Sequence, residues 1–116
     1  TLINTLHGLA LDSRGQPFLG ARTGGVSGPA LKPVALFCVD RVAGKLNIPI
    51  IGCGGIMSGQ DALDFISAGA TAVQVGTASL ADPDAPLRVW RELKTLCRKQ
   101  RIGSWYELIG RTRRSY

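Results

Sequence analysis

Two short apolar segments that end in glycine are the parts of this sequence best suited to chemistry. They read IPIIGCGGI, residues 48–56, and TAVQVGTA, residues 71–78. Glycine lets the backbone approach an anion closely and point its N–H groups at it, and a following helix start adds the positive end of a dipole. Either turn alone fits an ordinary tight turn, but the two together predict a phosphate site. The candidate ligands are Gly54, Gly55, Gly76 and Thr77.

A second candidate binding element follows the first apolar stretch, TLIN at residues 1–4. Asn4 and Thr5 stand where this predicted strand ends. An asparagine amide both donates and accepts hydrogen bonds, so it can bind a planar heterocycle that carries carbonyl and N–H groups, and the threonine hydroxyl can add one more bond. The alternative is that Asn4 only closes a turn.

The remaining side chains give little support to a nucleophile or a metal site. Cys53 lies between the glycines of the first turn, but no histidine is positioned to activate it, so we predict a packing role for its thiol. The cysteines have no C-x-x-C spacing, which argues against zinc and against a disulfide framework. Their odd number, three, fits reduced thiols in a cytoplasmic protein.

The elements that must position these residues alternate between strands and helices. This alternation predicts parallel strands joined by right-handed crossovers. Strands are expected at TLIN, PIIG and AVQV, and helices at residues 32–47, 58–68, 87–99 and 104–110. Ser58 and Asp61 have the spacing of a capping box at the start of the second helix, and Gly69 suits its end.

Apolar periodicity also predicts which helix faces are buried. The first helix is expected to bury Val34, Leu36, Phe37, Val39, Val42, Ala43 and Leu46. The third is expected to bury Leu87, Trp90, Leu93, Leu96 and Cys97. Residues 6–31 form a long glycine-rich loop in which LALDSRGQPFL predicts a small hairpin, and Lys32 after this loop is expected on the surface.

Composition limits the classes of protein that fit. The 116 residues allow one domain at most, and 45% of them are apolar, which suits an α/β protein. No apolar run approaches the roughly 18 residues that span a bilayer. The net charge of +6 is concentrated towards the C-terminus, and we interpret it as a solvated helix face and a basic tail, with a contact to an acidic partner subunit as the alternative. Nucleic-acid binding is disfavoured because no aromatic stacking pattern accompanies these charges.

The order and spacing of several motifs together resemble the C-terminal part of dihydroorotate dehydrogenase, most nearly the class 1B catalytic subunit. The motifs are LINTLHG, GGVSGPALKPVAL, IPIIGCGGI, GATAVQVGTA and WYELIG. The resemblance implies a (β/α)8 TIM barrel with FMN at its C-terminal mouth. Residues 1–116 would then be the C-terminal portion, about three βα units, of a single FMN-binding domain whose full length is about 250 residues. Because the chain starts on Thr1 inside a predicted strand, we expect an N-terminal part to be missing.

The resemblance also implies roles for individual residues. The glycine-turn residues named above would hold the FMN phosphate, Ile3 and Gly28 would lie against the flavin, and Asn4 and Thr5 would bind the pyrimidine ring of dihydroorotate or orotate. In the family reaction a base removes a proton from dihydroorotate while hydride passes to the flavin. The base is a cysteine on a loop that would precede Thr1, so neither Cys53 nor Cys38 inherits that role. No catalytic residue is therefore assigned to this chain, and we expect the chain alone to be inactive.

Partners follow from the resemblance in the same way. A class 1B enzyme is a homodimer of barrels joined to a subunit that carries FAD and a 2Fe–2S cluster, with NAD as the final electron acceptor. The resemblance further implies a role in pyrimidine biosynthesis in the cytoplasm, without a nucleic acid or a membrane as partner. The alternatives are another flavin barrel, such as dihydropyrimidine dehydrogenase or a dihydrouridine synthase, and a non-catalytic phosphate-binding half-barrel.

Overall fold

The structure is a computed structural model that describes residues 1–115, and it is of the α/β class. The strands are β1 (Leu6–Gly8), β2 (Gly24–Val26), β3 (Ile51–Cys53) and β4 (Ala72–Gln74). The α-helices are α1 (Lys32–Ala43), α2 (Gly59–Ala68), α3 (Ala78–Ala81), α4 (Ala85–Lys99) and α5 (Trp105–Leu108). Short 3-10 turns occupy Pro29–Leu31 and Arg111–Ser115. None of the helices within residues 1–115 has the length and apolar character needed to cross a membrane.

The predicted parallel strands lie side by side. β3 pairs with β4 in parallel, with Ile51 opposite Ala72. On the other side of β3, Leu2 forms a parallel bridge with Gly52, and the Leu2 N–H donates to the Ile51 carbonyl at 2.9 Å. The strand expected at residues 1–4 is thus reduced to this bridge, but its position beside β3 agrees with the predicted alternation. Since parallel strands end at the same edge, the segments after Leu2, β3 and β4 come together.

The core is built around α2. This helix lies between α1 and α4, and its Phe65 and Ile66 side chains are fully buried. Gly59 allows the close crossing of α2 and α4, because a Cβ atom there would clash with the Leu93 backbone N. The capping box predicted from Ser58 and the acid three residues later is confirmed, and so is the glycine that ends the helix.

Several predicted helix boundaries and several of the predicted inward residues were wrong. The last helix, predicted at residues 104–110, spans Trp105–Leu108. α1 ends at Ala43 rather than Asn47, and α4 begins at Ala85, before the predicted start at Leu87. Residues predicted to be buried but exposed are Val34, Phe37, Leu46, Leu87 and Trp90. The fully buried residues of α1 are Ala35 and Val39, and this helix packs against α2.

The long loop contains more structure than its sequence suggests. The predicted hairpin is present as a bridge between Leu11 and Pro17. In addition, β1 pairs antiparallel with β2, a pairing that sequence analysis did not predict. β2 reads GGV and has almost no strand propensity, so only its distant partner defines it. The two paired segments form an arm that leads from the end of the first strand to the start of α1.

Candidate functional site

A cleft of about 110 Å³ opens where the three parallel segments end. Four stretches of chain supply its walls: the end of the first strand, the loop before α1, and the turns after β3 and β4. Every residue proposed from the sequence as a ligand lines this cleft: Ile3, Asn4, Thr5, Gly28, Gly54, Gly55, Gly76 and Thr77. The structure therefore brings together residues that are as distant in the sequence as Ile3 and Thr77.

The turn after β3, which we call the first turn, depends on glycine. Gly54 has φ +128° and Gly55 has φ +74°, conformations that L side chains rarely adopt. The turn is also tightly packed. A Cβ atom on Gly54 would lie 2.9 Å from the Ala35 Cβ, and one on Gly55 would lie 2.7 Å from the Gly28 carbonyl oxygen. The first turn is thus pressed against the start of α1 and the loop that precedes it.

The turn after β4, which we call the second turn, is open. A Cβ atom on Gly76 would meet nothing within 4 Å, and both Gly76 and Thr77 are exposed. Thr77 stands at the start of the single-turn helix α3, and its hydroxyl makes no capping hydrogen bond. The second turn therefore presents its backbone and one hydroxyl to the cleft without strain or crowding.

The chemistry that the two turns offer is hydrogen-bond donation. Within residues 1–115, the backbone N–H groups of Gly54, Gly55, Gly76 and Thr77 donate no hydrogen bond. Converging backbone N–H groups that have no internal partner form an anion-binding concavity. The cleft exceeds the roughly 30 Å³ of one water molecule but is well below the roughly 300–1,000 Å³ of a small-molecule site. It is therefore large enough for the anionic end of a ligand.

Asn4 and Thr5 also line the cleft, where Asn4 both closes a turn and offers a donor to a ligand. The Thr5 N–H donates to the Asn4 side-chain oxygen at 2.9 Å, as expected if Asn4 closes a turn. The side-chain amide nitrogen of Asn4 has no hydrogen bond within residues 1–115, so this donor is still available for a ligand. The Thr5 side chain packs against Gly25, where a Cβ atom would lie 2.7 Å from the Thr5 Cβ. The β2 strand therefore orients Thr5.

An ion-pair network lies behind the first turn, and it corrects the prediction that Lys32 is a surface residue. The Lys32 ammonium is half-buried and binds the Asp61 carboxylate at 2.5 Å and the Asp64 carboxylate at 2.7 Å. Burial alone would lower the pKa of Lys32, but hydrogen bonds to Asp61 and Asp64 outweigh it and raise that pKa above its usual value. Burial likewise acts to raise the pKa of Asp61, yet the hydrogen bonds from Lys32, the Met57 N–H and Ser58 lower it overall.

Two residues of α4 contact the segment that follows the first turn. The Glu92 carboxylate accepts a hydrogen bond from the Gly59 N–H at 2.7 Å, and the Arg88 guanidinium donates to the Met57 carbonyl at 3.1 Å. The backbone hydrogen bond from Gly59 is the main reason that the pKa of Glu92 lies below its usual value. Neither contact could be predicted from the sequence, because the partners are distant in the chain and only the crossing of α2 and α4 brings them together.

Other cleft residues were also missed. Ser27, Met57 and Gln74 line the cleft together with Cys53, whose side chain is half-buried. A signal for Gln74 existed, since it is the one polar residue in the apolar strand AVQV. No histidine lines the cleft. Among the described residues, no group of three or more His, Cys, Asp or Glu side chains could hold a metal ion.

Comparisons with known proteins agree on one family. The model of the family described as dihydroorotate dehydrogenase matches residues 1–97. The chain is 55% identical over 111 residues to the catalytic subunit of dihydroorotate dehydrogenase B (NAD(+)) from Citrifermentans bemidjiense, covering 95% of this chain and 36% of that protein. It is 48% identical, with the same coverage, to a putative dihydroorotate dehydrogenase A (fumarate) from Solibacter usitatus.

A solved structure shows the same relationship in three dimensions. The crystal structure of DHODH from Eimeria tenella in complex with ferulenol matches with a TM-score of 0.78 and 32% sequence identity. The match covers 97% of this chain and 30% of that one. The chain thus spans about 36% of the length of the curated relatives described above.

Proposed function

The chain belongs to the dihydroorotate dehydrogenase family, and from this premise we propose that it supplies the cofactor-phosphate site and part of the substrate site of an enzyme that oxidises dihydroorotate to orotate. This step belongs to pyrimidine biosynthesis. We further propose that residues 1–116 are the C-terminal portion of one FMN-binding (β/α)8 barrel. The parallel order of the first segment, β3 and β4, with helices between them, supports the barrel assignment.

The observation that carries the proposal is the set of backbone N–H groups at Gly54, Gly55, Gly76 and Thr77, which line one cleft and have no hydrogen-bond acceptor within residues 1–115. These donors fit a phosphate group. Open space at Gly28 and Gly76, where a Cβ atom would meet nothing within 4 Å, leaves room for a ligand beside them. The residues present therefore fit the phosphate end of FMN.

Different residues of the chain would then bind different parts of the cofactor and the substrate. The first and second turns bind the phosphate from two sides, and the apolar Ile3 side chain and the Gly28 backbone form a surface for the flavin. Asn4 and Thr5 orient the pyrimidine ring of the substrate by hydrogen bonding. When bound, FMN supplies the acceptor for the hydride of dihydroorotate. Nothing in the cleft is assigned the role of base, and Cys53 packs within the binding turn.

The partners in the proposal follow from the relatives. Catalytic subunits of the B type are named as one subunit of a larger enzyme. We propose a homodimer of barrels that delivers electrons through a partner subunit with FAD and a 2Fe–2S cluster to NAD, in the cytoplasm. The Solibacter relative is named for fumarate instead. A steady-state assay of the full-length enzyme with its partner subunit, run with NAD and with fumarate, therefore decides the final acceptor.

The phosphate contact is tested in the full-length barrel by adding one methyl group to the second turn. The Gly76→Ala variant keeps the backbone N–H but places a methyl group in the open space beside it, where we expect it to hold the phosphate away from the N–H groups. FMN binding should then weaken roughly 10-fold to 100-fold, because a hydrogen bond to a charged group contributes about 1.5–3 kcal/mol. Affinity for riboflavin, which lacks the phosphate, should not change. Gly20→Ala is the matched control, since a Cβ atom at Gly20 also meets nothing within 4 Å and this glycine lies outside the cleft.

The same titrations separate the proposal from its alternatives. Equal FMN affinity in Gly76→Ala and Gly20→Ala would contradict the phosphate site. A protein that binds inorganic phosphate but no flavin would support a non-catalytic phosphate-binding module instead. Bleaching of the flavin bound to the full-length barrel by dihydrouracil rather than by dihydroorotate, measured under anaerobic conditions, would favour another flavin barrel.

A further inference from the structure

One carboxylate connects the first turn to two helices. One oxygen of Asp61 accepts hydrogen bonds from the Met57 N–H, the Ser58 N–H and the Ser58 hydroxyl, each at 2.9 Å. Its other oxygen accepts a hydrogen bond from the Lys32 ammonium. Asp61 therefore does more than cap α2: it links the end of the first turn to the first residue of α1.

Lys32 contacts the same turn from the opposite side through its backbone. A Cβ atom on Gly55 would lie 2.9 Å from the Lys32 backbone N and 3.0 Å from the Lys32 Cβ. The backbone of Lys32 thus borders Gly55, while its side chain reaches the carboxylate that holds Met57 and Ser58. The segment from Gly55 to Ser58 is enclosed between these two contacts.

We propose that the Lys32–Asp61 ion pair is a positioning element for the cofactor phosphate: it holds the first turn against the start of α1, so that the Gly54 and Gly55 N–H groups point into the cleft. This inference rests on the proposed function, in which that cleft takes the phosphate of FMN. Neither Lys32 nor Asp61 lines the cleft. Both therefore act through the turn rather than by touching the ligand.

The positive charge of Lys32 should also favour phosphate binding. Asp61 and Asp64 put two negative charges behind an anion site, and the Lys32 ammonium is bound to both. Loss of the lysine would leave two carboxylates without this compensation, and a nearby negative charge opposes the binding of phosphate. Removal of Lys32 should therefore weaken phosphate binding both through geometry and through repulsion.

Asp64 offers a matched control within the same network. It accepts hydrogen bonds from the Lys32 ammonium at 2.7 Å and from the Gln60 amide at 2.8 Å. It accepts none from the first turn. A variant at Asp64 disturbs the same lysine and the same charge balance, but it leaves every contact between Asp61 and the turn in place.

The experiment measures FMN and riboflavin affinity in Lys32→Met, Asp61→Ala, the double variant and Asp64→Asn. Lys32→Met is the main variant because it leaves the helix cap intact. We expect it to weaken FMN binding about tenfold, a typical coupling for contacting groups, with riboflavin affinity nearly unchanged. The double variant should lose less affinity relative to Asp61→Ala than Lys32→Met loses relative to wild type, because only the repulsion from Asp64 is left to add. Lys32→Arg should recover most of the wild-type affinity. Asp64→Asn should stay within about twofold of wild type, as expected when no turn contact is lost.

Amide hydrogen exchange of the ligand-free protein gives a readout that does not depend on binding. In Lys32→Met, exchange should rise at Met57 and Ser58, whose N–H groups donate to Asp61, and stay unchanged in the core of α2 around Phe65, whereas a general loss of stability would raise both. Wild-type FMN affinity together with wild-type exchange in Lys32→Met would overturn the inference and leave the proposed function standing. Failure of the unmodified full-length barrel to bind FMN would contradict the proposed function, while faster exchange confined to the turn would still support its positioning by Lys32.

Discussion

The first and second turns follow the same sequence pattern, an apolar strand that ends in glycine, and yet they are built differently. The first turn has two glycines at positive φ, close packing against α1 and a carboxylate bound to its end. The second turn has an exposed glycine with open space around it and a threonine whose hydroxyl caps nothing. Residues of both turns line one cleft.

The difference between the turns comes from the helices that follow them. α2 has ten residues, a capping box and a face that is buried between α1 and α4. α3 has four residues, which is too short for a stable helix of its own. The first turn thus inherits rigidity from a packed helix, whereas the geometry of the second turn depends mainly on its strand. One half of the site is held by the chain's own packing, and the other is set by exposed backbone.

The largest expected contrast is an alanine at each turn. Gly55→Ala forces a side chain into φ +74° and into contact with the Gly28 carbonyl, so we expect it to lower the free energy of unfolding by about 1–3 kcal/mol or more. Gly76→Ala meets no atom within 4 Å and should leave stability within about 0.5 kcal/mol of the original. Denaturant unfolding measures both variants. Equal losses of stability would mean that the second turn is as tightly packed as the first.

A smaller contrast compares the hydroxyls that stand before α2 and α3. Ser58→Ala removes a side chain that accepts the Asp61 N–H, and the loss of such a cap lowers stability by about 0.5–2 kcal/mol. Thr77→Val removes a hydroxyl that caps nothing and should change stability by less than about 0.5 kcal/mol. Thermal unfolding of the two variants gives the comparison. A larger loss of stability in Thr77→Val than in Ser58→Ala would mean that the second turn, rather than the first, is the more firmly held.

The smallest expected effect is a pH dependence of stability to which the first turn contributes and the second turn does not. The folded-state pKa of Asp61 lies below its ordinary value of 3.8, so its contribution to stability is complete above that value and is lost as the pH falls through the folded pKa. The free energy of unfolding should therefore decline in the acid range below about pH 4. Asp61→Asn should flatten this decline, whereas Gly76→Ala should not alter it. If the free energy of unfolding of Asp61→Asn falls at acid pH as much as that of the wild type, other carboxyl groups cause the fall.

Local signals allowed part of the fold and most of the candidate site to be predicted. Strand propensity followed by glycine located both turns, and the capping box located the start of α2, because these features depend on residues within a few positions of each other. The buried faces of the helices were harder to predict. Phe37 and Trp90 have the periodicity of buried residues but are 64% and 53% exposed. Periodicity shows that a face is apolar, but burial depends on which elements pack against it.

Long-range partners could not be predicted from the pattern. The pairing of β1 with β2, the Arg88 and Glu92 contacts, and the ion pair of Lys32 all join residues that are distant in the chain. Arg113 is a further example. It was interpreted as part of a solvated basic tail, but it is half-buried, and its guanidinium lies 2.7 Å from where Cβ atoms on Gly69 and Gly110 would be.

The sequence by itself determined the chemistry of the site, because glycine at a strand end, an amide beside a hydroxyl and the lack of a placed nucleophile are properties of residue type and short spacing. It also determined the family, through the order of its motifs. Only the tertiary structure decided how firmly each part of the site is held. Rigidity at the first turn comes from contacts between α1, α2 and α4, and such contacts form only when the folded chain brings distant residues within hydrogen-bonding range.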